Sequence, residues 1–243
     1  MLNRNYDEIT EGLIKWIEEK VTEAGCDGVV VGMSGGIDSS VTAALCKRAF
    51  PEKTLGLIMP CESNHQDKED AKLIAEKFGI EYKVFGLEDA FYSLLEIMGE
   101  ESNDQNLAVA NIKPRLRMVT LYYYANLRNS LVIGTDNRSE LKLGYFTKYG
   151  DGGIDLAPLG GLVKTEVREI AEVLDVPERI INKVPSAGLW EGQTDEEELG
   201  ISYEEIDRYI LTGEASDEVK KVVDDLEEKN KHKVQLPDIF QID

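Results

Sequence analysis

Serine, glycine and aspartate crowd into one short stretch, Ser34-Gly35-Gly36-Ile37-Asp38-Ser39-Ser40, directly after the apolar run Val29-Val30-Val31-Gly32-Met33. The β-branched run reads as a strand, and Val41, Leu45 and Phe50 behind the turn read as helix contacts. Strand, tight loop and helix start together present backbone N–H groups to an anion. Gly35 and Gly36 let that backbone approach a phosphate closely. Ser34, Ser39 and Ser40 add hydroxyl donors. Asp38 cannot neutralise phosphate, so beside such a loop it suits a metal ion; its plainer reading is a helix cap. The loop lacks the lysine of G-x-x-x-x-G-K-[ST], and no G-x-G-x-x-G follows the strand.

The elements around it follow from periodicity. Ile9, Leu13, Trp16, Ile17 and Val21 predict an amphipathic helix over 6–24, stopped at Gly25. Strand 28–33, helix 39–50, strand 54–59, helix 68–78 closed by Gly79, and strand 81–85 come next. Such alternation implies crossover units and a parallel sheet flanked by helices, an α/β fold. Ligands in these sheets bind beyond the carboxyl ends of the strands, where the serine–glycine loop lies. A helix over 87–98 precedes a longer helical region, 103–129, which Pro114 must kink or begin. Its apolar Leu116, Val119, Tyr123 and Leu127 fit either a core helix or a subunit interface. Strand 130–134 runs into the polar loop Thr135-Asp136-Asn137-Arg138-Ser139-Glu140. Residues 143–153 are glycine-rich and carry Lys148 and Asp151, which predicts mobility without a ligand. A helix over 164–174, a turn over 178–182, an irregular stretch over 185–200 and surface helices over 202–211 and 216–230 complete the chain.

Bulk properties exclude several classes. The formal net charge is −20, which repels nucleic acid and means that polyanionic substrates need local cations such as Mg²⁺. Hydrophobic residues make up 42% of the chain, enough for a full core. No run suits a membrane span and the N-terminus lacks the apolar segment of a signal peptide. Cys26, Cys46 and Cys61 form neither a metal spacing nor a disulfide framework. A cytoplasmic protein is expected.

Ser34-Gly35-Gly36-Ile37-Asp38-Ser39 resembles the pyrophosphate loop (PP-loop) of the ATP pyrophosphatases, which split ATP between its α- and β-phosphates. Further segments follow in order: Asn111-Ile112-Lys113-Pro114-Arg115-Leu116-Arg117-Met118, then Gly134-Thr135-Asp136-Asn137-Arg138-Ser139-Glu140. Next come Gly144-Tyr145-Phe146-Thr147-Lys148-Tyr149-Gly150-Asp151-Gly152-Gly153 and the stretch from Asp155 to Thr165. Pro185-Ser186-Ala187-Gly188-Leu189 and Gly192-Gln193-Thr194-Asp195-Glu196 end the set. Over nearly the whole chain this set resembles the ammonia-dependent NAD⁺ synthetases. Its most specific part is Phe146-Thr147-Lys148-Tyr149-Gly150-Asp151.

The resemblance implies an adenine nucleotide alpha hydrolase-like, Rossmann-like fold with a C-terminal helical segment. It implies a single domain over 1–243, with an N-terminal helix over 6–24, an α/β core over 28–184 and an irregular and helical segment over 185–243. The implied activity is that of a ligase: deamido-NAD⁺, ATP and ammonia give NAD⁺, AMP and diphosphate through a deamido-NAD adenylate. By position, Gly32, Met33, Ser34, Gly35, Gly36, Ile37, Asp38 and Ser39 would bind ATP, with Thr135, Lys164 and Ser186. Asp38 and Glu140 would hold Mg²⁺. Arg115, Lys148, Asp155, His232 and Lys233 match deamido-NAD⁺ positions. Asp38 and Lys164 would be catalytic, and Asp151 would accept the proton that ammonium must lose. Pro114 stands where the family often has alanine, and Ser186 where it often has threonine. No length is spare for an amidotransferase domain, so ammonia, free or from a separate subunit, is the expected nitrogen donor. A homodimer through 115–129 is expected.

Plainer readings stand beside these. Lys148 alone reads as solvated surface, and His232 between Lys231 and Lys233 as an exposed tail residue. Arg115 and Arg117 could be partners of surface carboxylates, and Thr135 or Glu140 a cap of the next helix. Another PP-loop ATP pyrophosphatase, such as a tRNA sulfur-transfer enzyme, would want a basic face and paired cysteines. A non-catalytic ATP-binding module would need neither Glu140 nor Lys164.

Overall fold

The computed structural model describes residues 4–103, 106–186 and 194–241. Helix α1 (Tyr6–Glu23) leads into β1 (Gly28–Gly32), α2 (Ile37–Ala49), β2 (Thr54–Ile58), α3 (His65–Phe78) and β3 (Glu81–Val84). Then come α4 (Glu88–Met98), α5 (Leu107–Ala110), α6 (Ile112–Leu127), β4 (Ser130–Ile133) and α7 (Arg138–Leu143). The C-terminal part holds α8 (Lys164–Val173), α9 (Glu178–Ile181), α10 (Asp195–Leu199), α11 (Tyr203–Thr212) and α12 (Asp217–Asn230), with a 3-10 turn at Lys231–Lys233.

The strands form one parallel sheet in the order β3-β2-β1-β4. β1 and β2 are buried almost throughout, as parallel strands covered on both faces must be. One face carries Val29, Val31 and Ile133 against α1, α2, α3, α8 and α9. The other carries Val30, Leu55, Leu57 and Val132 against Leu121, Tyr122, Tyr124 and Ala125 of α6. β3 is the exposed edge, and its charged Glu81 and Lys83 discourage pairing with another chain. Sequence order reverses at β1, which has β2 on one side and β4 on the other. Val31 lies level with Ile133, so the loops after β1 and β4 leave the sheet side by side. That is the crevice where open α/β sheets bind ligands.

The predicted strands are all present, and most element ends move by one residue or so. Two differences have local causes. The single helical region expected over 103–129 is broken into α5 and α6, with Asn111 at the junction. Pro114 falls in the first turn of α6, where its missing N–H leaves no bond unmade. The polar loop after β4 runs into the short helix α7, given no bounds by the sequence, which is opened by a capping box between Asn137 and Glu140 and closed by Gly144 in the left-handed region. The stretch expected to be irregular ends in α10. Helices α11 and α12 bury Tyr203, Ile206, Val219 and Val223 against Leu143 of α7, so they are more than surface cover. Among the described residues, no helix is long and apolar enough to cross a membrane.

Candidate active site at the carboxyl ends of β1 and β4

The loop after β1 is tightly wired. Gly35 has φ +82°, and a Cβ there would lie 2.2 Å from the Asp67 carbonyl oxygen, so only glycine fits. The Ser39 hydroxyl donates to the Gly36 carbonyl (3.0 Å) and accepts from the Ser34 amide (3.2 Å). It also lies 3.0 Å from the Ser34 hydroxyl. The Ser40 hydroxyl is taken by the Gly36 carbonyl (2.8 Å) and is buried, so it serves the loop rather than a ligand. Met33 and Ile37 turn buried side chains into the core. Met33 gives its amide to Leu57, and Gly32 ends β1.

Asp38 lies in the first turn of α2, whose N-cap position is Gly36. It caps nothing. Its Oδ1 accepts from the Asn137 side-chain amide (2.9 Å), and its Oδ2 from the Lys164 ammonium (2.6 Å). The same ammonium reaches Glu140 Oε1 at 3.2 Å, while Glu140 Oε2 accepts from the Asn137 backbone amide at 3.0 Å. Glu140 is thus both a helix cap and a site carboxylate. Burial pushes its carboxyl up to about 7; Lys164 pulls it down and the Asp38 charge pushes it up. Burial would lower the Lys164 ammonium, but the charges of Asp38 and Glu140 leave it raised. Asp136 is 6% exposed. Burial, together with the charges of Asp151, Glu140 and Asp38, raises its carboxyl well above the ordinary range. Thr135 lies partly exposed in the same loop.

Lys164 is itself held by groups that the sequence did not advertise. Asp207 of α11 accepts from the Ser139 hydroxyl (2.5 Å) and from the Thr165 amide (2.7 Å). The Ser139 hydroxyl in turn accepts from the Lys164 amide (3.2 Å). A carboxylate from the C-terminal helices therefore satisfies the open N-terminus of α8. The Lys164 ammonium lies 5.1 Å from the ring centroid of Tyr203, whose hydroxyl donates to Asp195 (3.0 Å). Asn137 was detectable as the start of Asn137-x-x-Glu140. Asp195 lay in the motif over 192–196 without a role assigned to it, and Asp207 and Tyr203 carried no local signal.

A second cluster surrounds the glycine-rich loop. Arg115 donates to the Lys148 carbonyl (3.4 Å). The Lys148 ammonium donates to the His232 carbonyl and lies 3.5 Å from its Nδ1. Lys233 donates to the carbonyls of Gly144 (2.7 Å) and Phe146 (2.9 Å). Burial lowers its ammonium. So the late His232-Lys233 pair does fold back onto this loop. Asp155 stands apart, accepting from Tyr122 (3.0 Å) and the Val132 amide (2.8 Å) at the edge of β4.

Asp151 accepts from the Thr147 amide (2.8 Å). The residue is exposed, but desolvation of its carboxyl by the surrounding groups raises it, against the pull of backbone hydrogen bonds and the Arg117 charge. The loop glycines serve packing as well as freedom: a Cβ on Gly152 would meet the Phe146 ring at 2.4 Å. Ser186 is exposed after α9. Ala187, Gly188 and Leu189 of its motif, with Gly192 and Gln193, lie outside the described residues.

The expected cation fits this donor set. Asp38 Oδ2 and Glu140 Oε1 converge on one ammonium, so both could turn to a metal at that point. Among the described residues no group of three or more His, Cys, Asp or Glu could hold a metal. Two protein carboxylates suit an ion that takes its remaining oxygens from phosphate and water.

A family model described as NAD synthase matches residues 9–237. The NH(3)-dependent NAD(+) synthetase of Carboxydothermus hydrogenoformans is 53% identical over 237 residues, covering 97% of this chain and 98% of its own. The structure of an NMN synthetase from Francisella tularensis superposes with a TM-score of 0.94 at 36% identity, covering 99% of this chain and 100% of that one. An NH3-dependent NAD synthetase from Campylobacter jejuni gives a TM-score of 0.81 at 34% identity, covering 98% and 100%.

Proposed function

The chain belongs to the NAD synthase family, and from that premise we infer that it is a ligase forming a C–N bond: it amidates deamido-NAD⁺ with ammonia at the expense of ATP. The observation that carries the site assignment is the meeting of Asp38, Glu140 and Lys164 beside the serine–glycine loop.

A carboxylate is a poor acylating agent until it carries a good leaving group. In the first step a nicotinate carboxylate oxygen attacks the α-phosphorus of ATP, and the bond to pyrophosphate breaks. We assign to the amides and hydroxyls around Ser34, Gly36 and Ser39 the charge that builds on the departing pyrophosphate, for which they would exchange their bonds within the loop. Lys164 exchanges a carboxylate for phosphate as ATP enters. A divalent cation belongs to this chemistry, and we assign it as Mg²⁺ held by Asp38 and Glu140, where it would neutralise phosphate charge. In the second step ammonia attacks the carbonyl of the adenylate and AMP leaves. Asp151, whose carboxyl desolvation raises, is suited to take the proton that ammonium gives up. Thr135 and Ser186 are assigned to ATP. Arg115, Lys148, Asp155, His232 and Lys233 are assigned to the dinucleotide, which the Lys148–His232 contact supports for that pair.

Helix α6 exposes Val119, Tyr123 and Leu127 four residues apart, at 60%, 61% and 66%. We assign this stripe to a homodimer interface. Tyr123→Arg should then halve the mass seen by sedimentation, and a wild-type monomer at micromolar concentration would refute the dimer.

The deciding assay supplies ATP, Mg²⁺ and ammonium with either deamido-NAD⁺ or nicotinate mononucleotide, then separates the nucleotides. NAD⁺ with AMP is expected. Faster amidation of the mononucleotide would shift the substrate towards the one that the Francisella relative's name implies. ATP binding without AMP would leave only a nucleotide-binding module. A cytoplasmic location and an ammonia supply from solution or a separate subunit complete the proposal.

A further inference from the structure

We propose that Lys183 is a positioning residue for the phosphate loop: it fixes the Gly35–Gly36 peptide so that the Gly36 N–H faces the incoming phosphates. The proposal rests on the reading of that loop as the ATP site.

Lys183 follows α9 and precedes Pro185-Ser186, and nothing in its local sequence singles it out. Its ammonium donates to the Gly35 carbonyl (3.1 Å), to Asp67 Oδ1 (2.7 Å) and to Asp70 Oδ2 (2.9 Å). An ammonium has three protons, so its donor capacity is filled. Asp70, 4% exposed, is held further by Gln66 (2.9 Å) and Arg179 (2.8 Å). The ammonium is therefore a fixed point between α3 and the loop.

A trans peptide points its C=O and the following N–H in opposite directions. Drawing the Gly35 carbonyl towards α3 sends the Gly36 N–H to the opposite side, where it donates to the Ser34 hydroxyl at a long 3.3 Å. That is the side of Ser34 and Ser39. Two glycines in succession form the most permissive dipeptide available, so without an anchor this peptide can turn over. The turned form would aim a carbonyl oxygen at phosphate. Lys183 thus makes a flexible stretch a preorganised donor. Its charge is matched locally: Lys183 and Arg179 face Asp67 and Asp70. The effect on ATP is therefore geometric and not a matter of net field.

The test measures Mg·ATP affinity by calorimetry on the full chain, alongside steady-state constants. Lys183→Met should weaken Mg·ATP about tenfold, the scale of one charge-assisted hydrogen bond. The KM for deamido-NAD⁺ should stay within about twofold, well under 1 kcal/mol. Lys183→Arg should recover most of the affinity. Arg179→Met removes a positive charge from the same carboxylate without touching the Gly35 carbonyl, and should leave ATP affinity unchanged. If Lys183→Met does not fold by its melting curve, Asp70→Asn carries the test, with an expected loss of about threefold. Unchanged ATP affinity in Lys183→Met, or equal losses for both substrates, would overturn the proposal while leaving the enzyme assignment intact. A wild-type chain that binds ATP without making NAD⁺ would do the reverse.

Discussion

Two lysines sit at the same end of the sheet, each gripping two carboxylates. Lys164 holds Asp38 and Glu140; Lys183 holds Asp67 and Asp70. The inventories match, but the balance differs. Around Lys164 the acids outnumber the cations, since Asp195 acts on the ammonium and Asp136 stands within electrostatic reach of Asp38 and Glu140, and burial pushes Glu140 up to about 7. Around Lys183 burial would raise Asp70, but hydrogen bonds from Gln66 and Lys183 and the charge of Arg179 hold it below its ordinary value. The first cluster has excess negative charge and gains from a further cation. The second is complete. One acid of each pair carries the contrast: Glu140 beside Lys164 is raised, whereas Asp70 beside Lys183 is depressed, which fits a reaction centre proposed at the first lysine and a brace proposed at the second.

The largest break in this comparison should come from neutral substitution of one acid in each. Asp38→Asn should lower kcat/KM for NAD⁺ formation about 10³-fold, the scale of one electrostatic catalytic group. Asp67→Asn should cost less than about threefold in the same assay, a fraction of 1.4 kcal/mol. Similar losses would erase the distinction.

Asp207→Asn comes next, because it strikes the support of Lys164 and not the ammonium. The Thr165 amide would keep a weaker acceptor and the Ser139 hydroxyl a poorer partner. A loss of about 1–2 kcal/mol in denaturant stability is expected, with a fall in kcat. Unchanged stability would mean that Asp207 does not brace α8.

The smallest effect is the most specific, because the two clusters oppose each other in pH. The raised Glu140 binds its proton more tightly folded than unfolded. Its stabilising contribution is full below its ordinary 4.5 and is lost as pH rises through about 7. The depressed Asp70 contributes above its ordinary 3.8 and is lost as pH falls below that. In melting curves of the metal-free chain, Glu140→Gln should remove a decline between pH 4.5 and 7. Asp70→Asn should flatten the acid limb, each by on the order of a few degrees. Matching signs would refute the contrast.

The features legible in the sequence are those written within a few residues. The apolar runs of β1 and β2, the glycine loop, the αL stop at Gly79 and the Asn137-x-x-Glu140 cap all depend on near neighbours. The family motifs named Asp38, Glu140 and Lys164, and these converge. Some local rules left two outcomes open. Pro114 admitted a kink or a first turn, and the backbone took the latter. Glycines between 144 and 153 suggested mobility without a ligand, and Gly152 also permits close packing against Phe146.

What no local pattern could carry is partnership. Lys164 reaches Asp38 across 126 positions, Asp207 reaches Thr165 across 42, and Lys183 reaches Gly35 across 148. Periodicity and capping report on backbone geometry within about one helical turn, because that is the range of the hydrogen bonds that create them. A charged side chain carries no mark of the distant group it will meet. The order of elements, the loop and the chemistry it invites were therefore written in the chain itself. Which carboxylates each lysine meets was decided when the sheet brought β1 and β4 together and the C-terminal helices packed over them.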